Sequence, residues 1–148
     1  MYKSIFHILR IHNLILGAFA VIISGYLLDY SINVLTIYCM LIVMIVMAMI
    51  YIMNDYLDIK SDQINHPLRP LVTKNLFNKH IFYIISVLLV LLLILIIQIN
   101  YYALQFLLFI ILPLAIIYNI FFKKIPIIGN FVTSILLGSI FIFSEMVL

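Results

Sequence analysis

The stretch Val34–Asp62, VLTIYCMLIVMIVMAMIYIMNDYLDIKSD, decides what kind of chain this is. The run Val34–Met53 carries no charged residue and matches the ~20 residues a helix needs to cross a bilayer. Directly after it, three of the chain's five acidic residues, Asp55, Asp58 and Asp62, follow at spacings of three and four. On a continuous helix those spacings put all three carboxylates on one face. Like charges on adjacent turns repel, so something cationic is expected to neutralise them. Oxygen-only ligands suit a hard divalent ion, and Mg²⁺ typically takes one or two carboxylates plus substrate phosphates. The residues alone leave two readings. One is a carboxylate–Mg²⁺–diphosphate site at the mouth of a membrane helix; the other is a solvated helix end facing the cytoplasm.

Outward from this stretch the composition points to a membrane. Apolar residues make up 68% of the 148 and charged residues 9%, against about 25% charged in soluble domains; the mean hydropathy is +1.34. Length is therefore better counted in spans than in globular domains, and 1–148 reads as a single transmembrane domain. The expected spans are Ile11–Leu28, Val34–Met53 running on into the aspartates, Ile81–Ile99, Ala103–Phe122 with a kink at Pro113, and Ile127–Leu148. Ile59–Lys79 is expected to be a polar loop. The Ile and Val content would suit strands in water, but in lipid such runs are helices, since every backbone group must be satisfied within its segment. The expected fold is all-α, a polytopic bundle of about five spans. Ala18-Phe19-Ala20 resembles a leader cleavage site, yet the apolar run continues to Leu28, so an uncleaved first span is expected. The lone Cys39 excludes a disulfide within the chain and reads as a small buried apolar side chain. Many of the ten Tyr lie near span ends, as in an interfacial belt.

Charge sets the topology. The eight basic residues are Lys3 and Arg10 before span one, Lys60, Arg69, Lys74 and Lys79 between spans two and three, and Lys123 and Lys124 between spans four and five. All fall on one side, and the other two connections carry none. The positive-inside rule makes that side cytoplasmic, with the N-terminus and the aspartate loop, in an integral protein of the cytoplasmic membrane. Basic residues confined to short loops between apolar runs give no nucleic-acid signal. His7, His12, His66 and His80 lack ligand spacing and read as interfacial side chains. Met40, Met44 and Met47 form a packing stripe.

The pattern Asn54-Asp55-x-x-Asp58-x-x-x-Asp62, followed by Asn65-x-Pro67-x-Arg69-Pro70, resembles the first aspartate motif and loop of the UbiA-type membrane prenyltransferases. The stretch YNIFFKKIPIIGN looks most like the branch that makes archaeal-type ether lipids, the digeranylgeranylglyceryl phosphate synthases. The resemblance implies a bundle of about nine membrane helices, of which this chain matches the N-terminal half. It implies Mg²⁺ as cofactor, held by Asp55, Asp58 and Asp62 as metal and catalytic residues. It also implies transfer of an isoprenyl chain from prenyl diphosphate to an acceptor. By resemblance the acceptor is a lipid of the geranylgeranylglyceryl phosphate type, with an aromatic quinone precursor as the next choice.

Further substrate-binding residues are implied in the same way. Arg10 and Asn13, one turn apart, look like the family's Arg-x-x-Asn on the first helix; on residues alone they are a snorkelling Arg and a helix-end Asn. Asn54, at the head of the aspartate motif, is implied as well, and Arg69, directly before Pro70 in that pattern, offers a fork of donors to phosphate; on residues alone it is one of four loop cations. Lys60 within the motif is a diphosphate contact or a solvated cation. Tyr118 and Lys123 resemble a Tyr-x-x-x-Lys element with one residue more between them, and Asn130 follows. Without the resemblance Lys123-Lys124 is a positive-inside loop.

The family also carries a second aspartate motif in its later half. Beyond Asp62 the only carboxylate here is Glu145, expected at the far end of span five. The chain is therefore expected to be a truncated product, or to meet a second chain that supplies the missing helices, or to reuse the carboxylate half. Two functions follow. One is a Mg²⁺-dependent prenyltransferase, or the first half of one. The alternative is a non-enzymatic membrane subunit, or an inactive half-length remnant that binds prenyl diphosphate. In both, the partners are prenyl diphosphate and membrane lipids.

Overall fold

The computed structural model describes residues 2–73 and 76–148; Lys74, one of the loop cations, lies outside the described residues, as does the side chain of Lys3. The secondary structure of the described residues is helical, without strands. Their helices are α1 (Tyr2–Leu9), α2 (Ile11–Leu27), α3 (Val34–Leu57), α4 (Ile59–Asn65), α5 (Asn78–Ile96), α6 (Tyr101–Phe106), α7 (Leu112–Ile120) and α8 (Pro126–Val147). A π-helical turn, Leu107–Ile111, joins α6 to α7 into one span, Tyr101–Ile120. Pro113 explains that turn: it has no N–H to offer and its ring crowds the carbonyl four residues earlier, so the preceding turn widens. The expected kink is thus a π-helical turn.

Among the described residues four helices are long and apolar enough to cross a membrane: α3, α5, the α6–α7 span and α8. The fifth expected span, α2, is apolar but has 17 residues, a rise of about 25 Å. The 24 residues of α3 stand at the centre, packed on α1, α2, α5, α7 and α8. It begins at Asn33, whose side-chain oxygen accepts from the amides of Leu35 and Thr36, while the Thr36 hydroxyl accepts from the Asn33 amide. This reciprocal cap satisfies donors that lipid cannot. Gly17 lets α2 approach closely, since a Cβ there would meet the Met47 sulfur at 2.5 Å.

Two expectations need correction. Ile59–Lys79 is not all loop: α4 occupies Ile59–Asn65 and α5 already begins at Asn78. The aspartates do not sit on one continuous helix either. Helix α3 ends at Leu57, and Asp58, with φ −94° and ψ 2°, separates it from α4. Short carboxylate side chains favour such helix ends over interiors.

Two apolar clusters matter for function. The larger fills the bundle around Ile42, Val46, Leu107 and Phe143, with Cys39 buried and free within it. The smaller, Ile8, Ile52, Leu71, Leu76 and Ile81, clamps α1 and the loop after α4 onto α3 and α5. That clamp fixes Arg10, two residues after Ile8, and Arg69, two residues before Leu71.

Candidate active site at the charged end of the bundle

Asn54 and Asp55 lie on the last turn of α3, Asp58 at its end, and Asp62 on α4. Three cations from three other segments reach them. Arg10, between α1 and α2, bonds Asp55 through Nη2 at 2.7 Å and lies over the Tyr51 ring at 4.9 Å. Its backbone is left-handed, φ 51° and ψ 53°, a conformation that costs a non-glycine residue about 1 kcal/mol. Such strain is held at sites where the surroundings demand it; here the bend carries the guanidinium to Asp55. Arg69, in the loop after α4, spans two carboxylates, with Nη1 at 2.5 Å from Asp62 and 3.4 Å from Asp55. Lys123 bonds Asp58 directly and the Asn54 amide oxygen at 3.3 Å. It sits in the 3-10 turn Phe122–Lys124, and that turn lies close over α8 because residue 129 is glycine. A Cβ there would come within 3.0 Å of the Phe122 carbonyl oxygen.

Asp55 and Asp62 are buried, with side chains 5% and 7% exposed. Buried carboxylates persist only when paired, and each here has a guanidinium. Among the described residues no three His, Cys, Asp or Glu side chains come together into a metal cage. The cluster on one face expected from the spacing is replaced by two sides: Asp55 and Asp62 share Arg69, while Asp58 goes with Lys123. The donor set still fits Mg²⁺. It consists of hard oxygens alone, and this ion takes one or two carboxylates and fills its shell from phosphate and water.

Beneath this end lies a cavity of about 280 Å³. Arg10, Tyr51, Asn54, Tyr118 and Asn119 line its charged end, and along α3 it extends from Asn54 to Ile42, about 18 Å of helix rise. Leu107 and Phe143 contribute to its apolar walls. The π-helical turn borders it through Leu107 and Ile111. Met47 also lines it, so the methionine stripe is partly cavity wall as well as packing.

The structure brings Asn54, Asp55, Asp58, Asp62, Arg10, Arg69 and Lys123 together at this end, and Tyr118 joins through the cavity. Asn13, half-buried on α2, and Asn130, exposed on α8, line neither the cavity nor the ion-pair cluster; Lys60 is exposed. Glu145 is exposed on α8, next to Met146, whose carbonyl accepts from Asn100 at the opposite end. Two residues escaped notice in the sequence. Tyr51 stands one turn before Asp55, a spacing that could have exposed it. Asn119 is a lone amide in an apolar run, 1% exposed. Its Nδ2 donates to the Ala115 carbonyl at 3.0 Å and its Oδ1 has no partner.

Comparison with known proteins agrees with the geometry. The profile of the UbiA prenyltransferase family matches residues 14–144. A digeranylgeranylglyceryl phosphate synthase of Methanococcus maripaludis (strain C5) is 34% identical over 147 residues, covering 95% of this chain and 51% of that protein. The same-named protein of Sulfurisphaera tokodaii is 31% identical over 136 residues, covering 90% and 48%. A solved structure from "Structural and mechanistic insights into the biosynthesis of Digeranylgeranylglyceryl phosphate synthase in membranes" superposes with a TM-score of 0.85 at 32% identity, covering 97% of this chain and 52% of that one. The chain spans about half the length of the curated relatives it matches. It belongs to the UbiA prenyltransferase family.

Proposed function

We propose that this chain forms a Mg²⁺-dependent prenyl-diphosphate site and takes part in moving the prenyl group onto a lipid glyceryl phosphate. The supporting observation is the union of an oxygen-rich, cation-rich mouth with a long apolar cavity directly beneath it. One or two of the carboxylates of Asp55, Asp58 and Asp62 would hold the ion, which when bound adds positive charge against the diphosphate and the leaving oxygen. Arg10, Arg69 and Lys123 supply the remaining charge. Each bonds a carboxylate and has N–H groups left for phosphate oxygens. The allylic carbon–oxygen bond breaks with its electron pair leaving on the diphosphate. The cavity walls keep water from the carbocation, and the acceptor hydroxyl oxygen captures it, its proton passing to the released diphosphate. The glyceryl phosphate acceptor rests on the names of the relatives, and the chain's oxygen-lined mouth is compatible with it.

We further place the charged end on the cytoplasmic face, following the positive-inside rule. Introducing Lys124→Cys into a Cys39→Ala background and labelling from each side tests this; labelling only from outside overturns the orientation. The site itself is tested by equilibrium binding of a non-hydrolysable prenyl thiodiphosphate to the purified chain in lipid nanodiscs. Binding should require Mg²⁺ and fall about tenfold with Asp58→Asn, while Asp29→Asn at the opposite end leaves it unchanged. Equal effects of the two substitutions would return the aspartates to a solvated helix end.

A further inference from the structure

A second cavity, of about 500 Å³, is lined by both partners of the Arg10–Asp55 ion pair. Arg10 lines both cavities. The first is largely apolar. The second is a basic bay: Arg10, Arg69, His7 and His12 face a single carboxylate, Asp55, which both guanidiniums already bond. The two guanidinium side chains are 28% and 23% exposed. Each can offer further N–H groups, and an imidazole can donate one in either protonation state. Phe6 and Ile11 complete the lining with apolar surface, and Phe6 is 61% exposed. The bay sits where α1 bends into α2, and α1 is fixed there by Ile8 in the smaller apolar cluster. A basic pocket with an apolar lip at the end of a membrane bundle fits an anionic lipid head better than a soluble anion.

We propose that this bay binds the phosphomonoester head of the acceptor lipid, an alkyl glyceryl phosphate. The inference rests on the proposed function and adds to it the place of the second substrate. A transfer between two lipids needs two sites that meet at the reacting atoms. The tail cavity and the bay meet at Arg10, so one guanidinium contacts the phosphate of each substrate. The prenyl tail lies along α3, and the acceptor enters from the side of α1. His7 and His12 are positioning residues for the acceptor: they line the bay and not the tail cavity.

The test uses the whole chain in nanodiscs of zwitterionic lipid. The probes are a long-chain 1-O-alkylglyceryl phosphate, the matching neutral alkylglycerol and inorganic phosphate. The phosphate lipid should bind at least about tenfold more tightly than the neutral one, and inorganic phosphate should displace it only at concentrations about a hundredfold higher. The double substitution His7→Leu/His12→Leu should weaken the phosphate lipid about tenfold and leave Mg²⁺-dependent prenyl thiodiphosphate binding within about twofold. The donor-keeping pair His7→Asn/His12→Gln should restore most of the loss. Equal binding of the neutral lipid, or equal loss of both ligands in the double variant, overturns the inference. Displacement by inorganic phosphate at the lipid's own concentration overturns the lipid as the source of the phosphate. Absence of prenyl thiodiphosphate binding in the unaltered chain counts against the parent reading alone; a phosphate preference that depends on the two histidines still supports the bay.

Discussion

The two ends of the bundle use polar residues in opposite ways. At one end three carboxylates are drawn into contact with three cations from distant segments, and two of those carboxylates are buried. At the other end Asp29 and Glu145 are exposed, and the ordered polar contacts come from neutral amides. Asn33 caps α3, and Asn100 caps α6 while its amide donates to the Met146 carbonyl. Asp29 sits in a turn at φ 54°, a conformation that aspartate tolerates better than most residues. Amides are enough to end helices. A buried charge cluster is a costly way to end one, so its presence at one end only marks that end as the place where charge is used.

The largest contrast is expected from Arg69→Leu set against Asp29→Asn. Removing Arg69 strips Asp62 of its partner and Asp55 of its second one. Breaking buried pairs costs about 3 kcal/mol, so thermal unfolding in detergent should show a clear fall for Arg69→Leu and none for Asp29→Asn. Equal melting temperatures would mean that the charged end is as wet as the other.

Next comes a pair on α8. Gly129→Val pushes a side chain against the Phe122 carbonyl and displaces the turn that holds Lys123, whereas nothing lies within 4 Å of a Cβ at Gly138. Prenyl thiodiphosphate affinity should fall about tenfold for the first and stay level for Gly138→Val. Loss in both would show that α8 responds as a whole and not through Lys123.

A smaller effect is expected at the opposite end. Asn33→Ala removes the cap of α3 and should cost about 1 kcal/mol of stability with ligand affinity intact, because the cap stands far along α3 from Asp55. A loss of affinity would couple the two ends. The smallest effect belongs to Asn119→Leu. It removes a buried oxygen with no partner, so stability should be unchanged or raised by about 1 kcal/mol, as read by the same melting experiment. A fall exceeding that of Asn33→Ala would show that the oxygen has a structural duty.

Much of this was legible in the sequence because lipid leaves a chain few choices. Uninterrupted apolar runs had to be helices, and loop cations had to gather at one end. The spacing singled out Asp55, Asp58 and Asp62 and the family resemblance added Arg69 and Lys123; these five meet through side-chain ion pairs. Local pattern did not reveal α1, whose eight residues mix Ser4 and His7 with Ile5 and Ile8. Its helix depends on docking Ile8 against Ile52 and Leu71, contacts distant in sequence. The break at Asp58 was hidden for a related reason. Spacing assumes a continuous helix, whereas the partners that relieve repulsion among the carboxylates come from residues 10, 69 and 123. The bay beside Arg10 needed the fold, since it is built between the α1–α2 bend and a loop some sixty residues later.

The central claim is that diphosphate sits at the charged mouth with its tail down the cavity along α3. Photo-crosslinking tests it most directly, using a prenyl diphosphate with a diazirine at the tail end, bound to the chain in membranes and mapped by mass spectrometry. The label should fall on cavity residues such as Ile42, Leu107 and Phe143, require Mg²⁺, and disappear in Arg69→Leu. Label spread over the exposed face of α5, at Tyr83 or Val90, and indifferent to Mg²⁺, would contradict the account.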